Sequence, residues 1–126
     1  MPNLLYVMAG GALGAGLRFE IGRLALRHFG SGFPWGTLFV NLAGGLAMGL
    51  IAGFALRGAD LGEASRLFLA VGVLGGFTTF SAFSLETATM LERGAYGSAG
   101  SYVLGSVLGS ILLLFLGLWL ARGAAA

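Results

Sequence analysis

Three hydroxyls stand four residues apart late in the chain. Tyr102, Ser106 and Ser110 fall at i, i+4 and i+8, a spacing that stacks them along one face of a helix. The residues around them are otherwise apolar, as is "GTLFVNLAGG", where Asn41 is the one amide. Between them, "GGFTTFSAFS" at residues 75–84 sets two glycines, two threonines and two serines among phenylalanines. No acid or base is expected among these groups. His28 is the sole histidine, and no pairing of a nucleophile with a base is suggested, so an enzyme is disfavoured. What this set offers is coordination without formal charge. Amide N–H and hydroxyl O–H can face an anion, and a ring edge carries the positive end of the aromatic quadrupole.

Each feature also has a plainer reading. A lone intramembrane serine bonds back to its own helix carbonyl. An amide in an apolar span is costly unless it finds partners, and an interhelical hydrogen bond would serve. Phe80 and Phe83, at i, i+3 on a shared face, would ordinarily be core packing. Three aligned hydroxyls with an amide look more like a polar track than scattered glue, and Thr79 and Ser81 add two hydroxyls beside the rings.

The elements that must position these residues are membrane spans. Of 126 residues, 57% are hydrophobic and 10% charged, against about 25% charged in a soluble domain; mean hydropathy is +0.92. A transmembrane helix needs roughly 20 mainly apolar residues, and four fit, over about 3–29, 35–56, 65–91 and 98–121. Together they make one all-α transmembrane domain covering 1–126. "GSGFPWG" supplies the first turn, Arg57, Asp60, Glu63 and Arg66 the one plainly hydrophilic loop, and "ERGAYG" the last turn. No basic region precedes the first apolar run, so a cleaved signal peptide is not expected. Cysteine is absent, which excludes disulfides and cysteine metal sites. Seven arginines against five acids are too sparse for a nucleic-acid footprint.

Gly75, Gly76, Thr78 and Thr79 are poor helix formers gathered at mid-span, so the third helix is expected to break there. Irregular backbone at that depth survives when buried in protein or lining a cavity, and its freed carbonyls could ligate a cation. Small residues recur every fourth position at Gly10/Gly14, Gly45/Gly49/Gly53 and Ser101/Gly105/Gly109, a pattern for close helix packing within or between subunits. With four spans, Arg23, Arg27 and Arg93 fall on one side of the membrane and Arg57, Arg66 and Arg122 on the other. Such a tie gives the insertion machinery little to read. Chance balance is one account; dual topology, with copies paired antiparallel as a homodimer, is the sharper one.

Taken together, "GGALGAGLRF", "GTLFVN", "GGFTTFSAFS" and the Tyr102/Ser106/Ser110 track resemble the Fluc (CrcB) fluoride channels, in order and across all four spans. The resemblance implies an antiparallel dimer with two fluoride pores and a central structural sodium ion. It implies that Asn41 is the pore amide, Phe80 and Phe83 the aromatic box, and Tyr102, Ser106 and Ser110 the hydroxyl track. Thr37 and Arg18 match polar and arginine positions at the vestibule, and Gly75 and Thr78 the carbonyl donors to sodium. It also implies a multi-pass protein of a prokaryotic inner membrane that releases cytoplasmic fluoride passively. Ala82 departs from the pattern, where threonine is usual. Fluoride is small and strongly hydrated, so a pore must replace water's donors yet release the ion.

The rival is a small multidrug-type, proton-coupled antiporter of dual topology, which needs a lone membrane-embedded carboxylate. Glu20 is the first-span candidate but is flanked by Arg18 and Arg23, and Glu86 is expected at the boundary of the third span. A purely structural subunit would leave the break and the track unexplained.

Overall fold

The computed structural model describes residues 2–56 and 62–123. Arg57 and Asp60 of the hydrophilic loop, and with Arg57 one member of the arginine balance, lie outside the described residues. Helix α1 runs Pro2–Phe29 and α2 Trp35–Leu56. The next passage is composite: α3 (Glu63–Arg66), wide π-helical turns over Leu67–Leu74, then α4 (Gly75–Phe77). Thr78, Thr79 and Phe80 lie outside any helix, Thr78 in extended backbone at φ −83°, ψ 158°. Helix α5 follows over Ser81–Glu92 and α6 over Tyr96–Gly123. Glu63 and Arg66, expected in the loop, instead open the third passage. Gly62 at φ 73° turns the chain, and its carbonyl takes the Arg66 N–H at 3.1 Å.

Among the described residues, Asn3–Phe29, Trp35–Ala55, Glu63–Glu92 and Tyr96–Gly123 are each long and apolar enough to cross a membrane. Their outward faces carry many exposed leucines and aromatics, including Leu5, Phe19, Leu112 and Trp119. In water such a surface would drive aggregation; against acyl chains it is the expected solvent-facing side. The chain is a multi-pass membrane protein.

Lipid gives apolar side chains no reason to leave it, so close backbone approach must supply the packing. The glycines show where. Helix α2 lies along α6, and a Cβ added at Gly45 would stand 2.6 Å from the Ser110 carbonyl oxygen. One at Gly53 would meet the Ala121 Cβ at 2.5 Å, and one at Gly49 would collide with the Leu114 carbonyl. From the other side Gly117 fits under Leu46 and Leu50. Helix α1 meets the third passage the same way, Gly10 against Gly72 and Val73, and Gly14 against Val73 and Phe77. These glycine faces are used inside the subunit.

Two turns complete the frame. Gly30 at φ 78° ends α1, and Pro34 leads into α2, its carbonyl accepting the Leu38 N–H at 3.2 Å. After α5 the Ala95 N–H reaches the Met90 carbonyl at 2.9 Å and the Gly94 N–H the Leu91 carbonyl at 3.0 Å, with Gly94 at φ 78°. This is a Schellman motif, in which a left-handed glycine lets the last carbonyls of a helix find donors. Its apolar side joins the core: Met90, Phe83, Ala99 and Tyr102 form one buried cluster, with Ala95 and Phe33 against it.

Candidate functional site

An open groove of about 570 Å³ runs beside the non-helical residues. Asn41 lines it from α2, Gly75 and Thr78 to Phe80 from the third passage, Phe83 from α5, and Ser106 and Ser110 from α6. Residues far apart in sequence meet here because α2 is pressed onto α6 by glycine packing, which brings Asn41 across from Ser110.

The interruption of the helix has a specific hydrogen-bond cause. The Thr78 N–H still reaches back four residues to the Leu74 carbonyl at 3.0 Å. The Thr79 N–H does not continue the ladder; it donates to Asn41 Oδ1 at 3.2 Å. At the start of α5 the Ala82 N–H donates to Thr79 Oγ1, also at 3.2 Å, so Thr79 acts as the side-chain cap of that helix. In a continuous helix these two N–H groups would have closed on the carbonyls of Gly75 and Thr78. Both carbonyls therefore lose their helical donors. The intervening Gly76 carbonyl is met from α1, where Arg18 Nε donates to it at 3.2 Å.

The same bond orients Asn41. Its side-chain oxygen is committed to a backbone donor, and the residue lines the groove; the other end of the amide, Nδ2, is the end that carries two N–H donors. The Asn41 backbone carbonyl accepts Ser110 Oγ at 3.2 Å, tying the amide's helix to the track.

The three hydroxyls of the track differ in their surroundings. Ser110 is half-buried and bonded to Asn41. Ser106 is 4% exposed, lines the groove, and its Oγ has no hydrogen-bond partner. Tyr102 is fully buried and donates its hydroxyl to Glu86 Oε1 at 2.9 Å, with Thr37 beside it as a further polar neighbour. This corrects one expectation: an acid does sit at the track, and Glu86 is a half-buried acceptor for Tyr102. Sequence spacing could not reveal it, because the contact crosses from α5 to α6; the signal was a carboxylate three residues after Phe83 on the same helix.

The two rings occupy unlike surroundings. Phe83 is 8% exposed, its centroid 5.0 Å from that of Tyr102, whereas Phe80 is 76% exposed and precedes the helix. They remain neighbours at 5.5 Å. Ser81 is exposed, with its Oγ 3.5 Å from Thr79 Oγ1. Thr37 and Arg18 are not groove residues: one joins Tyr102, the other braces Gly76. Glu20 is bridged to Arg23 at 2.9 Å, and both side chains are about half exposed.

The groove is thus lined by an amide residue, an unpartnered hydroxyl and two aromatic rings, and beside them lie carbonyls released from a helix. Residues 5–118 match the family model described as CrcB-like protein, Camphor Resistance (CrcB). The chain belongs to the CrcB family. Similar proteins span nearly its whole length. One from Hyphomonas neptunium is 58% identical over 123 residues, covering 97% of each chain. One from a Chelativorans species is 56% identical over 122 residues, covering 97% of this chain and 98% of its own. A third, from a Caulobacter species, is 56% identical over 123 residues, covering 97% of this chain and 96% of its own. All three are named fluoride-specific ion channel FluC. Such a name describes a channel and not an enzyme, and the CrcB membership agrees with the family that the sequence motifs resemble.

Proposed function

We propose that this CrcB-family chain is a fluoride channel in which neutral donors of the groove replace the ion's hydration shell. The observation that carries this reading is the commitment of Asn41. Its Oδ1 is held by the Thr79 N–H, which commits the amino end to donate elsewhere, and it shares the groove with the unpartnered Ser106 hydroxyl. A buried O–H without a partner is costly in a membrane protein unless something accepts from it. A small anion does so. The rings of Phe80 and Phe83 line the same groove, where their edges can face an anion, and Phe83 leads on to Tyr102, whose O–H is oriented by Glu86. Thr79 adds a hydroxyl whose acceptor side is used by Ala82, which leaves its proton to donate; Ser81 stands next to it.

The working unit in this reading is an antiparallel homodimer with two pores. The balanced arginines favour insertion in both orientations, and the groove is open along one side of the subunit, where Phe80 and Gly75 are exposed. A second copy would close it. The carbonyls of Gly75 and Thr78, stripped of helical donors, would then meet their symmetry mates. Neutral carbonyl oxygens suit a monovalent ion such as sodium, since calcium and magnesium favour carboxylates. Bound there, sodium would supply positive charge that satisfies these oxygens, a structural role. Transport is passive, and the protein resides in a prokaryotic inner membrane, discharging cytoplasmic fluoride.

The antiporter reading is weaker, because Glu20 is neutralised by Arg23 at an exposed position and Glu86 is engaged by Tyr102. Fluoride release from proteoliposomes, followed with a fluoride electrode, tests the proposal. Release from wild-type vesicles that is lost with Asn41→Asp supports it; no release from vesicles holding folded wild-type protein sinks it.

A further inference from the structure

A second, smaller cavity of about 180 Å³ lies between the first turn and the C-terminal half of α5. Ser31, Gly32 and Pro34 form one wall, and Glu86, Thr89 and Arg93 the other. It shares Glu86 with the polar track. From the main groove the route runs through Phe83 to Tyr102, whose rings lie 5.0 Å apart, and then 2.9 Å across the hydroxyl to Glu86. Phe83 on the main groove and Glu86 on the smaller cavity are thus linked through Tyr102.

Arg93 lines this second space from the end of α5 and is exposed. It is the C-cap of α5, held by the Schellman motif of Met90, Leu91, Gly94 and Ala95. One Nη2 donates to the Gly32 carbonyl at 3.4 Å, which leans the guanidinium across the first turn. A cation is favoured there by the helix C-terminus. It forms no ion pair among the described residues, though the Glu86 carboxylate lines the same cavity. The other arginines near polar sites are committed otherwise: Arg18 to the Gly76 carbonyl and Arg23 to Glu20.

A carboxylate at the end of a donor-lined path opposes an anion, and a cation on the same small cavity offsets that field. We infer that this cavity is the antechamber where a small monovalent anion enters or leaves the track, and that Arg93 is its recruiting charge. The inference rests on the channel reading above. An exposed guanidinium suits recruitment: it attracts over about one Debye length, roughly 8 Å at physiological ionic strength, and holds the ion too weakly to trap it. Charges that focus an ion toward a cleft raise its entry rate by 10-fold or more, and added salt removes the advantage.

Single-channel current in planar bilayers at subsaturating fluoride tests it, with ionic strength set by an impermeant salt. For Arg93→Gln the expected result is a current several-fold below wild type at low ionic strength, with the gap closing as salt is added. Arg93→Lys should retain most of the current, and Arg93→Glu should lose more than Arg93→Gln. Equal currents in Arg93→Gln and wild type at low salt would overturn the inference. So would a loss that salt does not change, which would make Arg93 a tie between α5 and the first turn. If wild-type protein passes no fluoride at all, the channel reading itself fails, a result distinct from either.

Discussion

Asn41 on α2 accepts the backbone N–H of Thr79 at 3.2 Å, so a donor that a helix would have used internally is bonded across to a neighbouring helix where the third passage leaves helical backbone.

Replacing Asn41 with aspartate keeps the acceptor for Thr79 and removes both N–H donors. The helix interruption should persist, so purified Asn41→Asp should match wild type in size and thermal stability. Fluoride flux should fall by tenfold or more. A carboxylate about 4 Å from the ion opposes it by roughly 4 kcal/mol at an effective dielectric near 20. Wild-type flux at neutral pH would remove Asn41 from the conduction path.

Ser106 separates function from stability. Its hydroxyl is buried and unpartnered, a state that costs about 1–3 kcal/mol. Ser106→Ala is therefore expected to leave the melting temperature unchanged or raise it by a few degrees, while fluoride flux drops several-fold. A melting temperature lowered by several degrees would mean that the hydroxyl has a structural partner.

The rings should respond unequally. Phe80→Ile alters a largely exposed side chain and should leave the fold intact, whereas Phe83→Ile removes a ring packed on Tyr102 and should also lower thermal stability. If their edges meet the anion, both lower fluoride flux. Undiminished flux in folded samples of both variants would return the pair to packing.

Gly49 tests the fold beneath the site. A side chain there collides with the Leu114 carbonyl on α6, so Gly49→Val should separate α2 from α6. The expected loss is several kcal/mol, in the range of overpacked cores or beyond, read as aggregation or a large fall in melting temperature. Gly16, with open space around it, should accept alanine without such loss.

Much of this was legible in the sequence, and the reasons are physical. Span positions follow from apolar length, so Trp35–Leu56 is found where the uncharged run lies. Thr78 and Thr79 do fall in the non-helical stretch, but Gly75 and Gly76, expected to break the helix with them, lie in the helical turn Gly75–Phe77; a glycine weakens a helix without having to end it. The hydroxyl track follows from helical periodicity, which places Tyr102, Ser106 and Ser110 on one face. What periodicity cannot show is pairing between elements. The Tyr102–Glu86 bond, the Thr79–Asn41 bond and the bracing of Gly76 by Arg18 each join residues from different helices. Nor do the π-helical turns at Leu67–Leu74 have a compositional mark; they sit where α1 brings Gly10 against Gly72.

The most direct measurement is ion release from proteoliposomes loaded with potassium fluoride or potassium chloride, with and without valinomycin. A passive, selective fluoride channel moves charge, so wild-type vesicles should empty fluoride within seconds once valinomycin lets potassium follow. They should release little without it, keep their chloride, and need no pH gradient. Chloride leaving as fast as fluoride would contradict the account, as would fluoride release that ignores valinomycin and requires a proton gradient.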